Sequence, residues 1–96
     1  MAAFATGKFY VTAGVGGKMM YDEPFRHFCE ESYQRYLRCD WGDLCAEDKA
    51  QNDSAVANGD DRILASYVHP EHPDWKLWII TEWDRSATTL LFPSEY

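Results

Sequence analysis

Residues Leu77–Tyr96 read LWIITEWDRSATTLLFPSEY, and this stretch decides the fold. An apolar, β-rich run, Leu77-Trp78-Ile79-Ile80-Thr81, meets the polar turn Asp84-Arg85-Ser86-Ala87. A second β-rich run, Thr88 to Phe92, follows and is stopped by Pro93. β-Branched and aromatic residues on both arms with turn-compatible residues between them spell a β-hairpin. Both alternation sets of the first arm are partly apolar: Leu77, Ile79 and Thr81 on one side, Trp78 and Ile80 on the other. A sheet with two apolar faces needs cover on both, or cover on one and a partner on the other. A second copy of the chain is one such partner, so a homodimer belongs to the expectation.

Working outward, Arg62 to His69 (RILASYVH) reads as a further strand, with Pro70-Glu71-His72-Pro73-Asp74 as the loop joining it to the hairpin. At the other end, Lys8 to Val15 (KFYVTAGV) is a strand candidate closed by Gly16-Gly17. From Asp22 the period changes: Phe25, Phe28, Cys29, Tyr33, Tyr36 and Leu37 share one helical face. Asp22 suits the N-cap, Pro24 the first turn, and Arg35 and Arg38 the C-terminal end of the dipole. A second helix is predicted from Ala46 to Ala57, ending at Asn58-Gly59, with a thin apolar stripe of Leu44, Ala55 and Val56. The expected fold is α+β, one domain over residues 1–96: a small antiparallel sheet, made of a three-stranded C-terminal meander plus an N-terminal strand, covered by two helices.

Ninety-six residues suit one small core, which buries only about 60–65% of the unfolded surface. Four Trp, six Tyr and five Phe within 46% apolar content are enough to fill that core, which argues against disorder. No run of apolar residues is long enough to span a bilayer, and the first residues lack the basic-then-apolar pattern of a secretory signal. A cytoplasmic protein without membrane contact is therefore expected. Its three cysteines, odd in number, are expected as reduced thiols.

The net charge of −7 is unevenly placed. Asp40, Asp43, Glu47, Asp48, Asp53, Asp60 and Asp61 stand against Lys49 alone, so residues 40–61 carry −6 of it. Direct binding of nucleic acid needs the opposite sign, since Lys and Arg supply the phosphate neutralisation. A basic protein surface is the complementary partner.

Four colinear blocks, VTAG at 11–14, CDWGDLCAEDKAQND at 39–53, RILASY at 62–67 and LWIITEWDRSATTLLFPSEY at 77–96, resemble a family of short plasmid- and phage-borne bacterial proteins without a settled biochemical role. Where those relatives carry an Arg-His pair ahead of the Asp-Trp-Gly turn and a Gly just before it, this chain has Arg35-Tyr36 and Cys39. The resemblance implies a mobile-element context. Small acidic proteins there block host defence enzymes, so it implies an inhibitor of the anti-CRISPR type.

Three chemistries are open to the residues. The first is an acidic contact surface that imitates a nucleic-acid backbone and enters the basic channel of a host defence nuclease or another nucleic-acid enzyme. Asp43, Glu47, Asp48 and Asp53 would supply the charge, with Trp41 and Trp83 as aromatic anchors. Its bland counterpart is a solubilising acidic helix beside ordinary core tryptophans. The second is a structural zinc centre built from Cys29, Cys39 and Cys45 with His27, or with nitrogens from His69 and His72. The spacing contains no Cys-x-x-Cys, and His27 and Cys29 diverge by about 200° on a helix; buried thiols are the simpler account. The third is acid–base hydrolysis by Glu82 and Asp84, converging with Asp40 and Asp43, whose simpler reading is a solvated corner neutralised by Arg85. The expected function is non-enzymatic binding of a basic partner.

Overall fold

A computed structural model describes residues 3–96. The elements run β1 (Lys8–Val11), α1 (Ala13–Tyr21), α2 (Glu23–Leu37), α3 (Ala46–Asn58), β2 (Ile63–His69), β3 (His72–Thr81), β4 (Ala87–Leu91) and a closing 3-10 turn (Pro93–Glu95). The four strands form one open sheet in the order β1-β4-β3-β2, and the class is α+β as the sequence predicts. β2, β3 and β4 make the expected antiparallel meander. The antiparallel expectation fails at the N-terminus: β1 pairs in parallel with β4, Phe9 opposite Thr88 and Val11 opposite Leu90. A parallel partner needs a crossover, and the helices supply it.

Two further departures have local causes. The segment expected as a strand up to Val15 turns into α1 after Val11, and the described residues hold three α-helices where two were expected. Thr12 caps α1 by accepting from the Val15 amide, and fully buried Val15 pins the helix to the core. Tertiary anchorage overrides a glycine-rich sequence of poor intrinsic helicity. The predicted loop 70–74 is a tight hairpin turn at Pro70-Glu71, with His72 already paired to His69.

α2 follows the sequence closely. Asp22 accepts from the Phe25 amide, Pro24 sits in the first turn, and Phe25, Phe28, Cys29 and Tyr36 are buried. The helices cover the face that carries Ile63, Ala65, Tyr67, Leu77, Ile79 and Leu90. Through this core runs a chain of hydroxyls. Thr88 donates to the Thr6 carbonyl (2.7 Å), Thr81 lies 2.7 Å from Thr88, and Tyr36 lies 2.6 Å from Thr81. A carbonyl only accepts, so the chain has one direction: Tyr36 to Thr81 to Thr88 to Thr6. On the opposite face Tyr96 packs edge-on against Trp78 at 5.7 Å.

The two edges of the sheet are treated differently. β2 turns its outward backbone groups toward the chain's own side chains. Asn52 of α3 donates to the Leu64 carbonyl (2.8 Å) and accepts from the Leu64 amide (3.3 Å). The Asp43 amide donates to the Ser66 carbonyl (2.7 Å), and the Asp43 carboxylate accepts from the Val68 amide (2.8 Å). An edge covered this way cannot template another strand.

Candidate acidic interface

The acidic segment begins in a turn that only its own residues allow. Cys39 (φ 63°) and Gly42 (φ 75°) take left-handed backbone conformations, and a side chain on Gly42 would overlap the Ser66 carbonyl and the Tyr67 ring. Arg35 grips Asp40 through Nε (2.7 Å) and Nη2 (3.2 Å), and this holds the Asp40 carboxyl below the usual carboxylate range. The Tyr67 hydroxyl donates to the Asp40 carbonyl (2.7 Å). Turn, helix α2 and strand β2 thus meet at one point.

The sequence-derived contact residues divide into two groups. Trp41 is only 3% exposed, packs on Tyr36 and Phe4, and donates from Nε1 to Asp53 Oδ1 (2.9 Å). An aromatic anchor must present its ring, and this ring lies in the core. The Asp53 and Asp43 carboxylates each accept one internal bond, from Trp41 and from the Val68 amide. Glu47 and Asp48 stand exposed in the first turn of α3, where the helix dipole favours them, and no salt bridge among the described residues includes either. Trp83, 64% exposed, is the tryptophan that does reach solvent.

Asp61, part of the acidic segment expected from the sequence, joins this face, and so does Arg85, expected only as a salt-bridge partner of carboxylates. Beside Asp48, a groove of about 360 Å³ is lined by Leu44, Asp48, Gln51, Asn52, Asp61, Arg62 and Leu64. Two aliphatic side chains, Leu44 and Leu64, and two carboxylates, Asp48 and Asp61, share it with amide groups and the Arg62 side chain. Arg85 ties the backbone of the β3–β4 turn, Trp83 included, to Asp61 and the end of α3. The Arg85 backbone is left-handed (φ 62°), which turns its guanidinium inward. Nη1 donates to the carbonyls of Asp61 (2.6 Å), Glu82 (3.2 Å) and Trp83 (3.2 Å), and Nη2 to the Ala55 carbonyl in the last turn of α3 (2.8 Å). The expected pairing of Arg85 with carboxylates gives way to these carbonyls, because four convergent backbone acceptors satisfy a forked donor better than solvated side chains. The positive φ of a non-glycine residue is visible only in coordinates.

The carboxylates considered for hydrolysis do not converge. Asp43 sits beside Val68, whereas the β3–β4 turn carrying Glu82 and Asp84 lies past Thr81, opposite Ile63. Five residues of strand, roughly 17 Å, separate them. Asp84 instead faces Ser86, whose hydroxyl first and amide second (3.0 Å) hold its carboxyl low. The four zinc candidates are likewise dispersed. His27 projects from α2 with 64% of its side chain exposed. Cys29 is fully buried, and burial pushes its thiol up to about 12. Cys39 is half-buried, its thiol also raised by burial, and Cys45 is exposed at the α3 N-cap. Among the described residues no three His, Cys, Asp or Glu side chains gather as a metal-holding group. No helix among them is long and apolar enough to cross a membrane.

Compared with family models, with curated proteins and with solved structures, the chain matches none.

Proposed function

We propose that this chain is a non-catalytic binding protein whose acidic face grips a basic surface on a nucleic-acid enzyme. Glu47, Asp48 and Asp61 supply the charge, the groove beside α3 receives a Lys or Arg side chain, and exposed Trp83 supplies the aromatic anchor. The likeness of its sequence blocks to plasmid- and phage-borne proteins points to the partner class, a host defence nuclease that mobile elements need to block. The carrying observation is the division within residues 40–61. Asp40, Asp43 and Asp53 are bonded to other elements of the fold, while Glu47 and Asp48 remain outward; Asp61, whose carboxylate accepts, among the described residues, only from the neighbouring Arg62 amide (2.7 Å), lines the same groove as Asp48. Charge of this kind acts through steering and exclusion of the enzyme's nucleic acid, and it weakens with salt.

The test is competition with target DNA for a guide-loaded RNA-guided nuclease. Reversing Glu47, Asp48 and Asp61 to Lys should abolish inhibition, while reversing Glu31 and Glu71 should leave it intact. Circular dichroism and melting temperature confirm the fold of both. Inhibition that survives the first triple change, or that ignores ionic strength, rejects the reading.

A further inference from the structure

The uncovered edge of the sheet has its own use. β1 bonds to β4 through its even-numbered residues: the Lys8 amide donates to Ser86 and the Thr12 amide to Leu90. In a parallel ladder this turns the amides and carbonyls of Phe9 and Val11 the other way. Among the described residues none bonds to them, in contrast to the covered groups of β2. Phe9 and Tyr10 stand 51% and 50% exposed on the two sides of this strand. Long-lived edges of this kind are normally protected by a lysine, a bulge or a proline; here only Lys8 at the start of the strand serves.

We propose that β1 is a self-association edge, pairing antiparallel with β1 of a second copy about a twofold axis through Tyr10. This register alone uses every outward group of Phe9 and Val11. Phe9 faces the partner's Val11 in reciprocal hydrogen bonds, Tyr10 faces the partner's Tyr10 as a close non-hydrogen-bonded pair, and Lys8 faces uncharged Thr12. The sheet becomes continuous over both copies.

Charge placement selects a second copy as the occupant. A chain of net −7 repels itself in general, but −6 of that lies in residues 40–61, which flank the far edge at β2. Pairing at β1 separates the two acidic segments by seven strand spacings, about 34 Å, several screening lengths at physiological salt. The remainder of the chain, near neutral, meets at the axis. Four residues of ladder bury well under the roughly 800 Å² per partner of a tight dimer, so the equilibrium falls in the micromolar range or weaker and leaves both acidic faces outward.

Sedimentation equilibrium from micromolar to millimolar protein should show a monomer–dimer transition. Tyr10→Glu, which sets like charges opposite each other on an exposed site, should weaken it about tenfold or more. On a Cys45→Ser background, Tyr10→Cys should form an intermolecular disulfide under mild oxidation, since Cα atoms of such a pair lie about 4.5 Å apart; exposed Ser94→Cys should not. The unaltered chain offers an independent readout. Hydrogen exchange of the Phe9 and Val11 amides should slow with concentration, while those of Tyr10 and Thr12 stay protected throughout. A monomer at millimolar concentration overturns the proposal. So does a dimer indifferent to Tyr10→Glu, or one whose Phe9 and Val11 amides exchange at a fixed rate.

Discussion

The directed hydroxyl chain in the core permits a graded prediction. Tyr36→Phe removes the first donor only: Thr81 keeps its own donation to Thr88, and the ring keeps its edge contacts with Phe4 and Trp41. The cost is that of one net hydrogen bond, about 0.5–1.5 kcal/mol. Thr88→Val is nearly isosteric and suits a strand, yet it breaks two bonds. It leaves the Thr6 carbonyl without a donor and the fully buried Thr81 hydroxyl without its acceptor. Two bonds plus one stranded buried group amount to about 2–4 kcal/mol. For a chain of this size, whose total stability is roughly 5–14 kcal/mol, that is a large share. Thr81→Val should resemble Thr88→Val. The double variant should cost less than the sum of the two singles, since both break the shared Thr81–Thr88 bond and Thr81→Val removes the hydroxyl that Thr88→Val strands. Urea unfolding followed by tryptophan fluorescence measures all four against the unaltered chain at constant m-value. A Thr88→Val loss below about 0.5 kcal/mol, or a larger loss for Tyr36→Phe than for Thr88→Val, refutes the assigned direction.

Gly42→Ala should destabilise by at least about 2 kcal/mol, read by the same urea series, because its positive φ and the Ser66 carbonyl both exclude a side chain. Gly17→Ala, mid-helix with nothing within 4 Å of the added carbon, should stabilise by about 0.5–1 kcal/mol. Asp40, held low by Arg35, has a folded pKa below its unfolded one, as does Glu95 through its bonds to the Phe92 amide and the Thr12 hydroxyl. Their stabilisation is complete above the unfolded value of about 4 and is lost as pH falls through the folded one. Arg35→Met should therefore lose stability at neutral pH and converge on the unaltered chain below about pH 3, as melting temperature against pH will show. In a thiol titration, Cys45 should react first and Cys39 more slowly; Cys29, buried and raised to about 12, should wait for denaturant.

The meander and α2 were legible because their signals are local: alternating β-branched residues, a helical period, and caps at Asp22 and Gly59. α1 was not, because Gly16-Gly17 read as a strand stop, and only the burial of Val15 makes a helix the better choice. The parallel pairing of β1 was beyond any local pattern, since its partner lies nearly eighty residues away in sequence. At the acidic site, composition located the charge. It could not distinguish Asp43 and Asp53, bonded to Val68 and Trp41, from Glu47 and Asp48, because that distinction depends on how the turn at Gly42 and the α3 face after it meet the rest of the fold. Trp41 and Trp83 pose the same problem, one in the core and the other in solvent.

Arg85 closes the hairpin and the last turn of α3 with a single guanidinium. The Trp83 backbone and the Asp61 end of the groove thus share one mount, and a partner that docked across both would have less backbone to order. Removing the clamp would loosen their mutual alignment, so complexes of an Arg85→Ala protein should form readily and fall apart sooner.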